Sequence, residues 1–286
     1  MDKLKELLEK RNKKQEIYIT AKTKRGRCYT TKEVANIVSE VFEKKMRPGE
    51  GTKNIISREM DTFVFVEDTV FTTLTGIARV TKDNEKISGD NYSFIYLESG
   101  EMIMSLSDGM GTGVTACAES ESVIELLEQF MEAGFREESA IKLINSILVL
   151  KSEKQSFSTI DLSMINLFTG ICQFVKIGAS STFIKREDWV ETISSTSLPA
   201  GIFNQVDFDG ITKKLYDGDF IIMVTDGVLD CIKEEDKEKV MEDIIMEITS
   251  KNPEEIADII LERTIEQNNY TAMDDMTVIV AGIWKK

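Results

Sequence analysis

The spacing of apolar residues changes several times along the chain, and each change marks a predicted element. Apolar residues recur every three or four positions over 3–16, 31–46, 114–133 and 137–151, which predicts helices. The helix over 31–46 is expected to place five apolar residues on one face: Val34, Ile37, Val38, Val41 and Phe42. It stops near Arg47-Pro48-Gly49, and the polar segment that continues to about Arg58 is predicted to be a linker.

Segments rich in β-branched and aromatic residues predict the strands. They cover 63–66, 75–80, 92–98, 101–107, 158–168, 171–178, 182–186, 189–194, 219–225 and 276–284. A tight hairpin turn is expected at Ser99-Gly100. Two helices are expected between the last two strands, and the second should begin with Asn252 as its N-cap and Pro253 in its first turn.

The order of these elements predicts the fold class. Strand pairs alternate with helix pairs, and each sheet must bury one face on the other sheet and one face under helices. The prediction is an α+β fold, a four-layer α-β-β-α sandwich of two antiparallel sheets flanked by helix pairs, with an N-terminal helical appendage. Residues 1–60 are predicted to be a helical regulatory or linker segment, and residues 61–286 the main domain.

Composition narrows the class of protein. The chain has 286 residues, of which 42% are hydrophobic and 30% charged, as in ordinary globular proteins. It has no apolar stretch of about 18 residues and no apolar core to its N-terminal segment, so neither a membrane span nor a secretory signal is predicted. Four scattered cysteines lack CxxC spacing. Reduced thiols and a cytoplasmic location are therefore expected.

Charge and histidine content exclude several functions. Residues 1–60 hold 16 Lys and Arg against 9 Asp and Glu, whereas the remainder holds 19 against 41. This acidic body argues against nucleic-acid binding, which needs a basic face. The chain has no histidine, which excludes Ser-His-Asp and Cys-His catalysis and histidine-based zinc sites. Any hydrolytic site must use carboxylates, hydroxyls, amides or metals.

Acidic residues stand at the ends of three very apolar strands. Asp108 follows IMSLS, Asp226 follows FIIMVT, and Asp274 and Asp275 precede MTVIVA. An Asp-Gly pair after a strand is a routine turn, but three such strand ends can converge at one edge of the core. Converging carboxylates repel one another unless a cation intervenes, and Mg²⁺ or Mn²⁺ prefers oxygen ligands. The carbonyl of Gly109 is a further candidate ligand.

A glycine-rich turn after the IMSLS strand offers a different reading. Gly109, Gly111 and Gly113 superficially match a dinucleotide-binding turn. That fingerprint requires Gly or Ala where this chain has Val114, and a parallel strand where a helix pair is predicted. The negative charge of Asp108 would also lie unfavourably close to the pyrophosphate. Dinucleotide binding is therefore not predicted.

Four ordered motifs resemble those of the metal-dependent Ser/Thr protein phosphatases of type 2C. They are SGDNYS (88–93), SDGMGTG (107–113), TDGVLD (225–230) and DDMTVIV (274–280). Within that class the chain is similar to the C-terminal phosphatase domain of the stage II sporulation protein E family. Further stretches carry this narrower likeness, including TGIARVTKDNEKISGD (75–90), STIDLSMINL (158–167) and KIGASSTFIKR (176–186).

The resemblance implies a binuclear site for two Mn²⁺ or Mg²⁺ ions between the sheets. By motif position, Asp108 would be the bridging carboxylate and the Gly109 carbonyl a ligand. Asp226 would bind one metal. Asp274 would be the last acidic ligand, with its neighbour Asp275 as the less favoured choice. Asp90 would contact the second metal directly or through water. Asp108, Asp226 and Asp274 would thus carry the catalysis.

The same resemblance implies an activity. The expected reaction is hydrolysis of phosphoserine on a protein, namely a phosphorylated anti-anti-sigma factor in sporulation sigma-factor activation, by a metal-bridged hydroxide. The alternative is a catalytically silent type 2C module that regulates a partner-switching pathway. Homodimerisation stays open, and so does a regulatory role for the N-terminal segment.

Two departures from the family pattern matter. Many type 2C phosphatases have a histidine two residues after the bridging aspartate, where this chain has Met110. A proton for the leaving group must therefore come from water or another group. Family members are usually membrane-tethered through long N-terminal segments, whereas only about 60–70 residues precede the likeness here.

Overall fold

The computed structural model describes residues 16–24, 28–83, 85–111, 113–150, 157–203 and 210–286. They fall into two compact units. One contains residues up to 70 together with 98–100, and the other contains 71–97 and 101–286. The helix predicted over 3–16 lies outside the described residues, except for Glu16, which begins a strand.

The described part of the first unit is a small α/β structure. Its elements are β1 (Glu16–Ala21), β2 (Tyr29–Thr30), α1 (Thr31–Phe42), β3 (Met46–Pro48), β4 (Ile55–Ile56) and β5 (Asp61–Glu67). Strands β1, β5 and β3 form an antiparallel sheet with β5 in the middle. The helix predicted over 31–46 is present as α1, but the unit also contains a sheet that the prediction of a helical appendage did not include. Residues 47, 48, 55 and 56 of the predicted linker belong to β3 and β4. Strand β5 pairs with β1 and β3, and the two compact units divide between residues 70 and 71, whereas the predicted boundary lies between 60 and 61.

Helix α1 buries only part of the apolar face that the sequence predicts. Thr30 caps it through a reciprocal capping box with Glu33. The small Ala35, with Val38, packs against a core that includes Phe63 and Phe65. Three of the five residues predicted to share the apolar face are exposed, namely Ile37, Val41 and Phe42. The helix therefore contacts the sheet through a narrower face than its apolar residues indicate.

The second unit is the predicted sandwich, and its two sheets come from interleaved segments. Its elements are β6 (Phe71–Val80), β7 (Asp90–Tyr96), β8 (Glu101–Asp108), α2 (Gly113–Glu132), α3 (Glu137–Leu150), β9 (Ile160–Asn166), β10 (Ile171–Ile177), β11 (Thr182–Lys185), β12 (Val190–Ile193), β13 (Ile211–Lys214), β14 (Phe220–Val224), α4 (Asp226–Asp230), α5 (Lys237–Glu247), α6 (Pro253–Gln267) and β15 (Met276–Lys285). One sheet has the order β13-β10-β9-β8-β7, and the other has the order β12-β11-β14-β15-β6. All pairings are antiparallel.

Three apolar cores separate the four layers and confirm the predicted architecture. A core between the sheets includes Met104, Phe174 and Met223, all fully buried. A second core lies between α2, α3 and the first sheet, and a third lies between α5, α6 and the other sheet. Every residue of β14 is buried, as expected of a strand covered on both faces. Among the described residues, no helix combines the length and apolar character needed to cross a bilayer.

Candidate metal centre

The hairpin of β7 and β8 places two of the predicted carboxylates opposite each other. Asp90 begins β7 and Asp108 ends β8, and the antiparallel register pairs them directly. The turn at the other end uses Gly100, whose φ of 86° is accessible to glycine at little cost. Two residues 18 positions apart in sequence are therefore brought together by local pairing alone.

The backbone of Asp108 is held on both sides by the segment that leads into β9. Its N–H donates to Thr159 Oγ1 at 2.8 Å, and its carbonyl accepts from Thr159 N at 2.9 Å and from Ser158 Oγ at 2.8 Å. Next along the chain, Gly109 packs against the first turns of α2. A Cβ added there would lie 2.0 Å from the carbonyl oxygen of Ala116. Only glycine fits this close approach of strand end and helix.

Asp90 is held by two threonines that the sequence analysis did not single out. Thr277 Oγ1 donates to Asp90 Oδ2 at 2.7 Å, and Thr225 Oγ1 donates to the same oxygen at 3.0 Å. Thr277 N in turn donates to Thr225 Oγ1 at 2.9 Å. The other oxygen, Asp90 Oδ1, is buried without a hydrogen-bond partner among the described residues. The signal for both threonines was present in the motifs TDG and DDMT.

Asp226 and Asp274 reach the site from the second sheet. Asp226 follows β14 and opens the short helix α4, and Asp274 precedes β15. Gly227 allows the two segments to meet, because a Cβ there would lie 2.1 Å from the carbonyl oxygen of Asp275. The side chain of Asp274 is about half exposed, with Oδ1 lying 3.8 Å from Lys82 Nζ.

Asp275 has a different environment from its neighbour. Its Oδ1 accepts from the backbone N–H of Lys82 at 2.9 Å, and its Oδ2 accepts from that of Gly89 at 2.7 Å. The residue is only 5% exposed. Both carboxylate oxygens therefore support the loop that leads into β7, which is a structural task.

Burial and the charges of neighbouring carboxylates raise the pKa values of Asp90, Asp108 and Asp226. Burial, together with the charges of Asp90, Asp226 and Asp274, raises the pKa of Asp108 to about 9. Burial also raises the pKa of Asp90 to about 6, and its hydrogen bonds from Thr277 and Thr225 limit this rise. The pKa of Asp226 is raised by loss of solvent and then by Asp274 and Asp230. Each charge disfavours the others.

The donor set fits divalent cations such as Mg²⁺ or Mn²⁺. It consists of the carboxylate oxygens of Asp90, Asp108 and Asp226, and the buried Oδ1 of Asp90 has no hydrogen-bond partner among the described residues. Within the described ranges, no group of three acidic or thiol side chains is close enough to enclose one ion. Mg²⁺ commonly takes one or two carboxylates and completes its octahedron with water. These carboxylates would hold such an ion together with water rather than in a closed protein cage.

A cavity opens beside these carboxylates. Its volume is about 250 Å³, which includes solvent at the mouth, and it is lined by residues of both sheets, among them Asp108, Thr159, Asp161, Ser180, Thr225 and Asp226. Met110, at the position where many type 2C phosphatases have histidine, is exposed and offers no titratable group. Its backbone N–H donates to the carbonyl of Phe157.

Comparison with known proteins gives a consistent set of relatives. The profile of the family described as stage II sporulation protein E (SpoIIE) matches residues 98–284. The chain is 41% identical over 210 residues to stage II sporulation protein E of Priestia megaterium, and 39% identical over 210 residues to that of Bacillus subtilis. Both alignments cover 73% of this chain, but only 36% and 25% of the respective relatives. This chain therefore spans about a third or less of their length.

A solved structure covers more of the chain. It contains the PP2C phosphatase domain and a fragment of the regulatory domain of the cell fate determinant SpoIIE from Bacillus subtilis. The match has a TM-score of 0.79 at 32% identity, and covers 96% of this chain and 80% of that one.

Proposed function

The chain belongs to the stage II sporulation protein E family, and we therefore propose that it is a metal-dependent Ser/Thr protein phosphatase. The observation that supports this most directly is the acidic cluster at the strand ends. Asp90 and Asp108 come from two paired strands and Asp226 from the start of helix α4; they repel one another and include a buried oxygen without a partner among the described residues. Such a cluster is costly in the free protein and is balanced by bound cations.

We assign the metal ligands from the contacts around each carboxylate. Asp90, Asp108, Asp226 and Asp274, together with the Gly109 carbonyl, would hold the cations, and the unpaired Oδ1 of Asp90 supports this assignment. Asp275 is assigned to structural support, because both its oxygens accept backbone hydrogens. Two bound Mn²⁺ or Mg²⁺ ions would supply an activated water nucleophile and neutralise phosphate charge.

The residues of the chain perform the remaining tasks. Thr225 and Thr277 fix the orientation of Asp90, and the clamp on Asp108 fixes the strand end between the sheets. The exposed position of Asp226 leaves the site open to a phosphoserine on a folded partner. Because Met110 cannot supply a proton, the departing serine oxygen takes its proton from water.

The substrate we propose is a phosphorylated anti-anti-sigma factor. The relatives, which are named as sporulation proteins, support this proposal. The described first unit, residues 16–70 with 98–100, is proposed to be regulatory, since the matched solved structure includes a fragment of a regulatory domain.

Release of phosphate from a phosphoserine anti-anti-sigma protein tests the proposal. The assay compares Mn²⁺ with EDTA for the wild type, Asp226→Ala, and the control Asp258→Asn, which changes an exposed helical carboxylate. We expect turnover that needs Mn²⁺, survives in the control and disappears in Asp226→Ala. Turnover on an aryl phosphate alone would remove the sporulation substrate. Absence of turnover on both at saturating metal would favour the silent module.

A further inference from the structure

A buried ion pair lies near the acidic cluster, and its carboxylate, that of Asp161, belongs to a residue that lines the cavity. Asp161 lies in β9 and Lys176 lies opposite it in β10, and each side chain is only 2% exposed. Lys176 Nζ donates to Asp161 Oδ2 and also to Thr182 Oγ1, the latter at 2.7 Å. Thr182 Oγ1 donates to the same oxygen of Asp161 at 2.9 Å. All these contacts use one oxygen of the carboxylate.

The second oxygen of the Asp161 carboxylate, Oδ1, has an unusual environment. Asp161 Oδ1 is buried and has no hydrogen-bond partner among the described residues. Leaving a buried carboxylate oxygen unpaired is unfavourable, so such an atom needs a ligand or a water. Asp161 lines the same cavity as Asp108 and Asp226, and that cavity has room for a water molecule. Asp161 and two members of the acidic cluster therefore line one cavity.

The hydrogen-bond requirements of a water there can all be met. A water beside Asp161 Oδ1 can donate one hydrogen to that oxygen and the other to a carboxylate oxygen of Asp108 or Asp226. The hydroxyls of Thr159 and Ser180 line the same cavity and can donate to its lone pairs. A water with four polar partners is well held.

We propose that Asp161 is a positioning residue of the metal centre. Through a water molecule in the cavity, it orients the carboxylates of Asp108 and Asp226 for the cation. Lys176 has the supporting task of keeping Asp161 ionised and directing its free oxygen toward the cavity. This inference rests on the proposed function, since it concerns the same cluster. It assigns a task to a buried pair that the reaction itself does not use.

The test replaces the pair by apolar residues of similar volume, Asp161→Leu with Lys176→Met. Removing both charges together avoids an uncompensated buried ion, and such replacements are often neutral or stabilising. The matched control is Arg186→Met with Asp219→Leu, another largely buried pair in the same unit but outside the cavity lining. Thermal unfolding in EDTA first establishes that all three proteins are folded. Calorimetric titration with Mn²⁺ then measures the affinity.

We expect the Asp161 and Lys176 double variant to bind Mn²⁺ about 10-fold more weakly than wild type, as is typical when partners that orient metal ligands are lost. The control should bind like wild type. Saturating Mn²⁺ should restore phosphatase turnover of the double variant, because the ligands are intact. Unchanged affinity in a folded double variant would overturn the inference and leave the phosphatase proposal standing. Failure of the wild type itself to bind Mn²⁺ would overturn both.

Discussion

Asp90→Asn is expected to make the metal-free protein more stable while weakening its metal site. Asp90 is only 1% exposed, and burial raises its pKa from the usual 3.8 to about 6. The folded chain therefore binds the proton more tightly than the unfolded chain. Stability falls as pH rises from 3.8 to about 6 and remains reduced above that window. A gap of about two pKa units corresponds to about 3 kcal/mol.

The amide variant removes this cost without removing the hydrogen bonds. The oxygen of the new amide can still accept from Thr277 and Thr225, and its nitrogen takes the place of the unpartnered Oδ1, where Asp108 can accept from it. We expect the free energy of unfolding in EDTA at pH 7.5 to rise by about 1–3 kcal/mol, less than the full linkage value because the amide is also desolvated.

Urea unfolding followed by tryptophan fluorescence measures this change, since Trp189 and Trp284 both lie in the second unit. Asp258→Asn serves as the control for removal of an exposed carboxylate. Addition of Mn²⁺ should reverse the order, because wild type gains binding energy that the variant loses. If Asp90→Asn is less stable than wild type in EDTA, the carboxylate carries no burial cost and the argument for a cation-dependent cluster fails.

Three further changes test other parts of the structure. Thr277→Val should weaken Mn²⁺ binding about 10-fold by calorimetry, because Asp90 loses one of its two donors. Gly109→Ala should lower the free energy of unfolding by more than about 2 kcal/mol in urea, whereas Gly210→Ala, which meets only a flexible side chain, should not. A chain beginning at residue 71 should remain soluble in gel filtration, whereas one beginning at 61 should aggregate, because it exposes the buried Phe63 and Phe65.

The sandwich was predictable because its strands are long and very apolar. Strand β14, FIIMV, is buried throughout, and the acidic residues at strand ends stood out against such segments. The first unit was not predicted as a sheet, since its strands are short and the basic residues around β1 resemble a solvated helix. The alternation in β1, EIYITA, was the signal that could have corrected this.

The candidate site shows a similar limit. The ends of apolar runs indicated Asp108, Asp226 and Asp274, and the family resemblance added Asp90. They could not show that Asp275 supports a loop, which depends on backbone groups at Lys82 and Gly89. Nor did they indicate Asp161, although a lone charge within an apolar strand is a signal that a buried partner exists.

The distance in sequence between β6 and β15 has a consequence for how quickly the site appears during folding. Residues 71–80 pair with residues 276–285, so the second sheet closes only after about 200 intervening residues are in place. Non-local pairings of this kind form slowly and late. The hairpin with Asp90 and Asp108 can assemble early, but Thr277 and Asp274 arrive with β15. Metal binding should therefore slow the unfolding rate and leave the folding rate nearly unchanged. Bound ions would thus raise the kinetic stability of the folded protein.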